Sequence, residues 1–192
     1  MAIPKKQEGE YTYGDYLTWG DDERCEIIDG KIYMMAAPTT DHQLILMELS
    51  RQFANYLVGK PCKVFVAPFD VRIPKGNESD IYTKNVVQPD MSIICDSNKL
   101  NKGGCFGSPD FVLEILSEST SIKDRREKFR LYEKGGVREY WILHPAEKWV
   151  TVYLLENGKY IVSDTYNTEE KIKVHIFPDF EIDLLTVFGT IG

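Results

Sequence analysis

The sequence predicts an α/β (α+β) fold: a mixed central sheet flanked by two main helices, an N-terminal β-hairpin, and extra C-terminal strands. Three observations predict it. Two segments read as helices, around residues 41–58, where the apolar residues have helical spacing, and 121–134, and each is stopped by glycine. Short apolar runs bounded by turn residues surround them and read as strands. A strand–helix–strand unit spans Phe111 to Leu143, the signature of a parallel crossover.

The elements follow in order. Thr12 is a plausible cap for a short helix running to about Trp19. Arg24 to Ala37 reads as a hairpin, because Asp29-Gly30 lies between two apolar runs. Pro38 to Asp41 offers caps for a helix to about Val58, whose stripe of Ile45, Leu49, Phe53, Tyr56 and Leu57 has helical spacing. Cys62 to Ile73 reads as one strand with a shift of apolar phase near Pro68, suggesting a bulge or an edge. Lys75 to Asn85 is a polar loop, and Val86 to Cys95 is an apolar run carrying a lone Asp90. Asp96 to Pro109 reads as a glycine-containing loop before the strand at Asp110 to Ser117. A helix from Ser121 to Lys134 ends at Gly135-Gly136. Strands then recur at Val137–Leu143, Trp149–Leu155 and Tyr160–Ser163, the last two joined at Asn157-Gly158, with a further strand and a short turn beyond Lys171.

With 192 residues, the chain can form one substantial core but falls short of two ordinary domains, so residues 1–192 are read as a single domain. Its 43% hydrophobic and 28% charged content is globular, with no stretch near 18 apolar residues and no apolar leader at the start. A cytoplasmic protein without a membrane span is expected. Cys25, Cys62 and Cys95 sit in apolar contexts and read as small buried hydrophobes, and no zinc site is indicated. The net charge of −7 argues mildly against a general nucleic-acid binder. It is unevenly spread, however. Residues 1–29 hold eight acids against three bases, whereas residues 123–139 hold seven bases against four acids. The latter is either a solvated helix face or a docking surface.

The chemistry begins with Glu114, set in the apolar run Phe111-Val-Leu-Glu114-Ile-Leu116. An unpaired carboxylate buried there would cost several kcal/mol, so it must be protonated, paired with a cation or bound to a metal. Asp90 poses the same problem on the preceding strand, and two carboxylates on neighbouring strands make an oxygen-rich site suited to Mg2+ or Mn2+. From Glu114 to Ser117 is about 10 Å of strand. From Ser121 to Lys128 is also about 10 Å of helix. A helix folding back along its strand therefore brings Lys128 level with Glu114. The competing readings are a turn residue for Asp90, an arginine partner (Arg125 or Arg126) for Glu114, and an exposed pair with Asp124 for Lys128. His42 reads as a helix-start residue, and Tyr140-Trp141 as core.

The combination Pro89-Asp90, Glu114 with Leu116-Ser117, Asp124 with Lys128 and Tyr132, and Gly136-Val137 with Glu139-Tyr140-Trp141-Ile142 resembles the Uma-type family of restriction-endonuclease-like proteins, within the PD-(D/E)xK nuclease superfamily. The likeness runs from the hairpin at Arg24–Gly30 through His42 to about Pro145. It implies a restriction-endonuclease-like domain and a Mg2+- or Mn2+-dependent endonuclease acting on DNA, with Asp90 and Glu114 as metal-holding and catalytic acids. One departure stands out: Leu116 occupies the position where the superfamily signature has lysine. In Uma-type relatives that role is thought to have moved to the following helix, which nominates Lys128. Glu26 also matches a family position and is an additional candidate ligand. The basic segment nominates Lys123, Arg125, Arg126 and Arg130 as DNA contacts, and cutting two strands implies a homodimer. The alternatives are an inactive nuclease-fold module that binds DNA or a protein, and a purely structural charge network at Asp90, Glu114 and Lys128.

Overall fold

The computed structural model of the chain describes residues 9–20, 24–117 and 124–191, excluding the side chains of Asp124 and Arg125. The first helix, α1 (Tyr13–Tyr16), is capped by Thr12, whose backbone N–H and hydroxyl both donate to Asp15. The hairpin β1 (Cys25–Ile28) and β2 (Lys31–Met34) turns at Asp29 and Gly30, both at positive φ, as a two-residue turn requires. Next come α2 (Thr40–Tyr56), β3 (Lys63–Val66), β4 (Val71–Arg72), β5 (Val86–Val87), β6 (Met91–Ile94), β7 (Leu100–Asn101), β8 (Gly104–Phe106) and β9 (Phe111–Ile115). A π-helical turn at Asp124–Lys128 leads into α3 (Phe129–Gly135), which Gly136 ends in the left-handed region. The chain closes with β10 (Glu139–His144), β11 (Trp149–Glu156), β12 (Lys159–Asn167), β13 (Lys171–Lys173), β14 (Glu181–Asp183) and α4 (Leu184–Phe188).

Among the described residues the strands form two six-stranded sheets and a small β13–β14 pair. The central sheet has the order β12-β11-β10-β9-β6-β3 and is mixed, since β9 and β10 run parallel and its other pairings are antiparallel. The second sheet, β2-β1-β5-β4-β8-β7, was not expected as a separate layer. Residues alternate across the central sheet as strand geometry demands. Phe111, Leu113 and Ile115 face α2 and the C-terminal segment. Val112 and Leu116 face α3 and the second sheet.

The second sheet corrects three readings. Val86 to Cys95 is two strands, because β5 pairs in the second sheet and β6 in the central one, with residues 88–90 crossing between them. Cys62 to Ile73 likewise divides into β3 and β4 on different sheets, so its phase shift near Pro68 marks a change of sheet and not a bulge. The supposed loop at 96–109 contains the β7–β8 hairpin. Cys62 and Cys95 are also reassigned. They stand opposite each other, one step beyond the Lys63–Ile94 pairing, and form a disulfide, while Cys25 and Cys105 are buried thiols outside any disulfide.

The α2 stripe is buried, apart from the half-buried Tyr56, with Phe53 at its centre. Its ring lies 5.1 Å from Phe111, 5.3 Å from Phe180 and 6.0 Å from Trp141, joining helix, sheet and C-terminal segment. Phe53→Ala should lower stability by about 3–5 kcal/mol, measured by urea unfolding, whereas Phe53→Leu should retain most of it.

Candidate active site

The central carboxylates are set by strand register. Met91 pairs with Leu113 and Ser92 with Val112, so one further step places Asp90 opposite Glu114 on the neighbouring antiparallel strand. Glu114 lies two residues from Val112 and Leu116 and therefore points to the same face, towards α3 and the second sheet. Asp90 occupies the crossing just before β6. Its Oδ2 accepts from the Ile115 N–H at 2.7 Å, which locks it to the strand that carries Glu114.

Lys128 joins the two sheets. Its Nζ lies 2.8 Å from Glu114 Oε1 and 2.9 Å from Glu26 Oε1, with only 3% of the residue exposed. Glu26 is fully buried on β1, and its Oε1 also accepts from the backbone N–H of Gln88 at 2.9 Å. Tyr132, four residues after Lys128 on the same helical face, donates to Glu114 Oε1 at 2.6 Å. Burial, then the charges of Glu114 and Glu26, hold the Tyr132 hydroxyl well above its usual pKa, so it serves as a neutral donor. Lys128 is the last residue of the π-helical turn, a distortion that often accompanies functional sites.

His42 belongs to the constellation too, although the sequence reading assigned it to the start of α2. It does have that role: its backbone N–H donates to the capping Thr39 hydroxyl. Its ring is also buried, with Nε2 3.0 Å from Asp90 Oδ1, while Nδ1 has no hydrogen-bond partner among the described residues. Thus α2 orients Asp90 as α3 orients Glu114. A signal was present, since His42 lies three residues before Ile45 and seven before Leu49, on the buried stripe. Tyr132 stands four residues after Lys128. Gln88 contributes through its backbone, and no side-chain pattern announces that.

Glu26, Asp90, Glu114 and Lys128 line one cleft of about 90 Å3, with His42 and Gln88 on its walls. Among the described residues no group of three or more His, Cys, Asp or Glu side chains is arranged to hold a metal. Among the described residues Glu114 meets Lys128, and Lys128 is buried, not on an exposed helix face; the side chains of Asp124 and Arg125 lie outside the described residues. Pro109-Asp110, a second Pro-Asp dipeptide, has a structural role: Asp110 accepts from the Cys95 N–H and pairs with Arg138. Of the predicted DNA contacts, Arg126 and Arg130 are exposed. Lys123 and the Arg125 side chain lie outside the described residues, as does the expected helix start at Ser121.

Residues 13–187 match the Uma2 family, described as "Putative restriction endonuclease". The chain belongs to this family. It is 32% identical over 131 residues to the uncharacterized protein slr1290 of Synechocystis sp., a match covering 67% of this chain and 65% of the relative. It is 27% identical over 124 residues to sll1609 of the same organism, covering 63% of this chain and 66% of that one. The matches thus span just under two thirds of these curated relatives. In three dimensions the chain is similar to the crystal structure of "a putative nuclease belonging to DUF820" from Anabaena variabilis, with a TM-score of 0.73 and 20% identity over 93% of this chain and 98% of the other. The fold is therefore restriction-endonuclease-like, and the family association is with nucleases. No helix among the described residues is long and apolar enough to cross a membrane.

The Uma2 assignment sharpens the meaning of Leu116. In this chain Leu116 is 4% exposed and packed in the apolar layer between the sheets. The cation beside Glu114 comes instead from the helix, with Glu26 as its second anchor. Lys128→Met should remove a cation shared by two buried carboxylates and cost about 3–5 kcal/mol near neutral pH. Thermal melts across pH should show that deficit shrinking on acidification, because a protonated carboxyl no longer needs the cation.

Proposed function

We propose that the chain is a divalent-metal-dependent endonuclease hydrolysing phosphodiester bonds in DNA. The observation that carries this reading is the charge balance of the cleft. Among the described residues, Glu26, Asp90 and Glu114 bring three carboxylates against two cations, the buried Lys128 and the exposed Arg24, leaving one formal negative charge with His42 left out of the count. Buried charge of that sign is commonly offset by a cation. The donor set fits Mg2+ or Mn2+: the oxygens are hard, and Mg2+ typically takes one or two carboxylates and keeps several waters. Asp90 and Glu114 are the residues that would hold it.

When bound, such an ion polarises a phosphoryl oxygen and lowers the pKa of water. The remaining work falls to this chain's own groups. His42 and the Ile115 N–H fix the two Asp90 oxygens, so the carboxylate keeps one orientation. Tyr132 and Lys128 both donate to Oε1 of Glu114 and so hold that carboxylate by one oxygen. The Lys128 ammonium can donate to a phosphate oxygen or to the attacking water, stabilising charge that develops during displacement. Glu26, bonded to Lys128 and the Gln88 N–H, serves better as the anchor of that lysine than as a third ligand.

Arg126 and Arg130, with Lys123 and Arg125, are the proposed phosphate contacts, and a homodimer with two sites would cut both strands. A cytoplasmic setting fits a DNA substrate. A second reading is favoured by the contacts of Lys128 with two internal carboxylates: the cluster is a structural network in a module that binds DNA or a protein without cutting it.

Plasmid and linear DNA should be cleaved with Mg2+ or Mn2+. Asp90→Asn and Glu114→Gln should abolish cleavage, and Lys128→Ala should slow it by about 10²–10³-fold. Full activity in both carboxylate variants would overturn the mechanism. Mn2+ binding by calorimetry should disappear in the same two variants. DNA affinity should fall steeply with added salt, with a shallower slope in Arg126→Ala and Arg130→Ala.

A further inference from the structure

A second groove adjoins the cleft and is lined by Tyr16, Leu17, Trp19, Arg24, Pro68 and Gln88. Arg24 and Gln88 also line the catalytic cleft, so the two depressions share a wall. Their sizes differ usefully. The cleft offers about 90 Å3, suited to a phosphate group and its waters, whereas the groove offers about 390 Å3, within the range of small-molecule sites.

The groove is aromatic, apolar and held firm. Trp19 meets Tyr16 edge-on at 5.6 Å and Tyr11 at 5.8 Å, and Tyr16 in turn stacks with Tyr13 at 6.0 Å. Leu17 is 59% exposed, a large apolar side chain that the fold itself does not cover. The Gln88 amide donates to the Tyr16 hydroxyl and to Asp70, while its backbone N–H donates to Glu26. One residue thus ties the aromatic wall to the carboxylate that anchors Lys128. The exposed Arg24 brings positive charge to the shared wall.

Resting on the endonuclease reading, we infer that this groove receives an unpaired nucleobase of the DNA strand whose phosphate occupies the cleft, stacking it against the Tyr16–Trp19 wall. Aromatic rings bind bases of any sequence through their faces, and an arginine at the shared wall suits the connecting phosphate. A paired base has both faces covered by its neighbours, so only an unpaired or extruded base can enter. The substrate is then DNA with a bulge, flap or frayed end at the cutting site, more than uninterrupted duplex.

The test uses the full chain and two duplexes that differ only in one 2-aminopurine, bulged or paired, followed by fluorescence and anisotropy in EDTA. The bulged duplex should bind about tenfold more tightly, with its 2-aminopurine emission quenched. Trp19→Ala should remove both the preference and the quenching, while Trp19→Phe, which keeps a ring, should retain most of each with an unchanged melting temperature. Equal binding of the two duplexes by the wild type, or an undiminished preference in Trp19→Ala, overturns the base pocket. Cleavage assays with Mn2+ separate the two readings. Efficient cutting of paired DNA without preference for the bulge sinks the pocket and leaves the endonuclease standing. Absence of any DNA binding or cutting removes both.

Discussion

The Lys128 ammonium, enclosed between Glu114 and Glu26, is the interaction on which the rest of the site depends. Removing two carboxylates and an ammonium from water costs several kcal/mol per ion unless the geometry and the remaining hydrogen bonds compensate. Compensation comes from three layers. The central sheet supplies Glu114, the second sheet supplies Glu26, and the helix between them supplies Lys128 and Tyr132. Without the second sheet, Glu26 would have no route to the lysine.

The same arrangement explains the second sheet's place in the fold. The chain passes between the sheets at residues 35–62, 67–70, 88–90, 95–99 and 107–110. The middle crossing carries Gln88 and Asp90, so main-chain groups that cannot pair within either sheet bond instead to site residues. Gln88 N–H goes to Glu26, and the Asp90 carboxylate takes the Ile115 N–H. Irregular backbone is thereby satisfied, and two acids are oriented by the same bonds. Family membership through Uma2 and the restriction-endonuclease-like fold fit this layout, in which a mixed sheet presents acids beside a helical cation.

Much of this was legible in the residues. Asp29-Gly30 and Asn157-Gly158 turn their hairpins with both residues at positive φ, a local preference that needs no tertiary help. The α2 stripe and the parallel β9–β10 pair followed from periodicity and from the helix between the strands. The meeting of Lys128 with Glu114 followed from rise per residue, and Glu114's apolar setting announced a buried charge needing a partner. The sequence showed less of Asp90's surroundings. His42 looked like part of a cap, and capping and ring pairing are both present in one residue.

What the sequence determined by itself was therefore local: turn chemistry, helical faces, and the isolation of carboxylates in apolar runs. The tertiary structure alone decided which strands share a sheet. Val86 to Cys95 has the same apolar character whether it lies in one sheet or crosses between two, because both layers bury it equally. Cys62 and Cys95 meet through register across β3 and β6, a relation between residues 33 apart that no local pattern encodes. Lys128's second carboxylate was decided the same way. Glu26 reaches it through the packing of one sheet on another, and side-chain burial between layers is a property of the assembled fold.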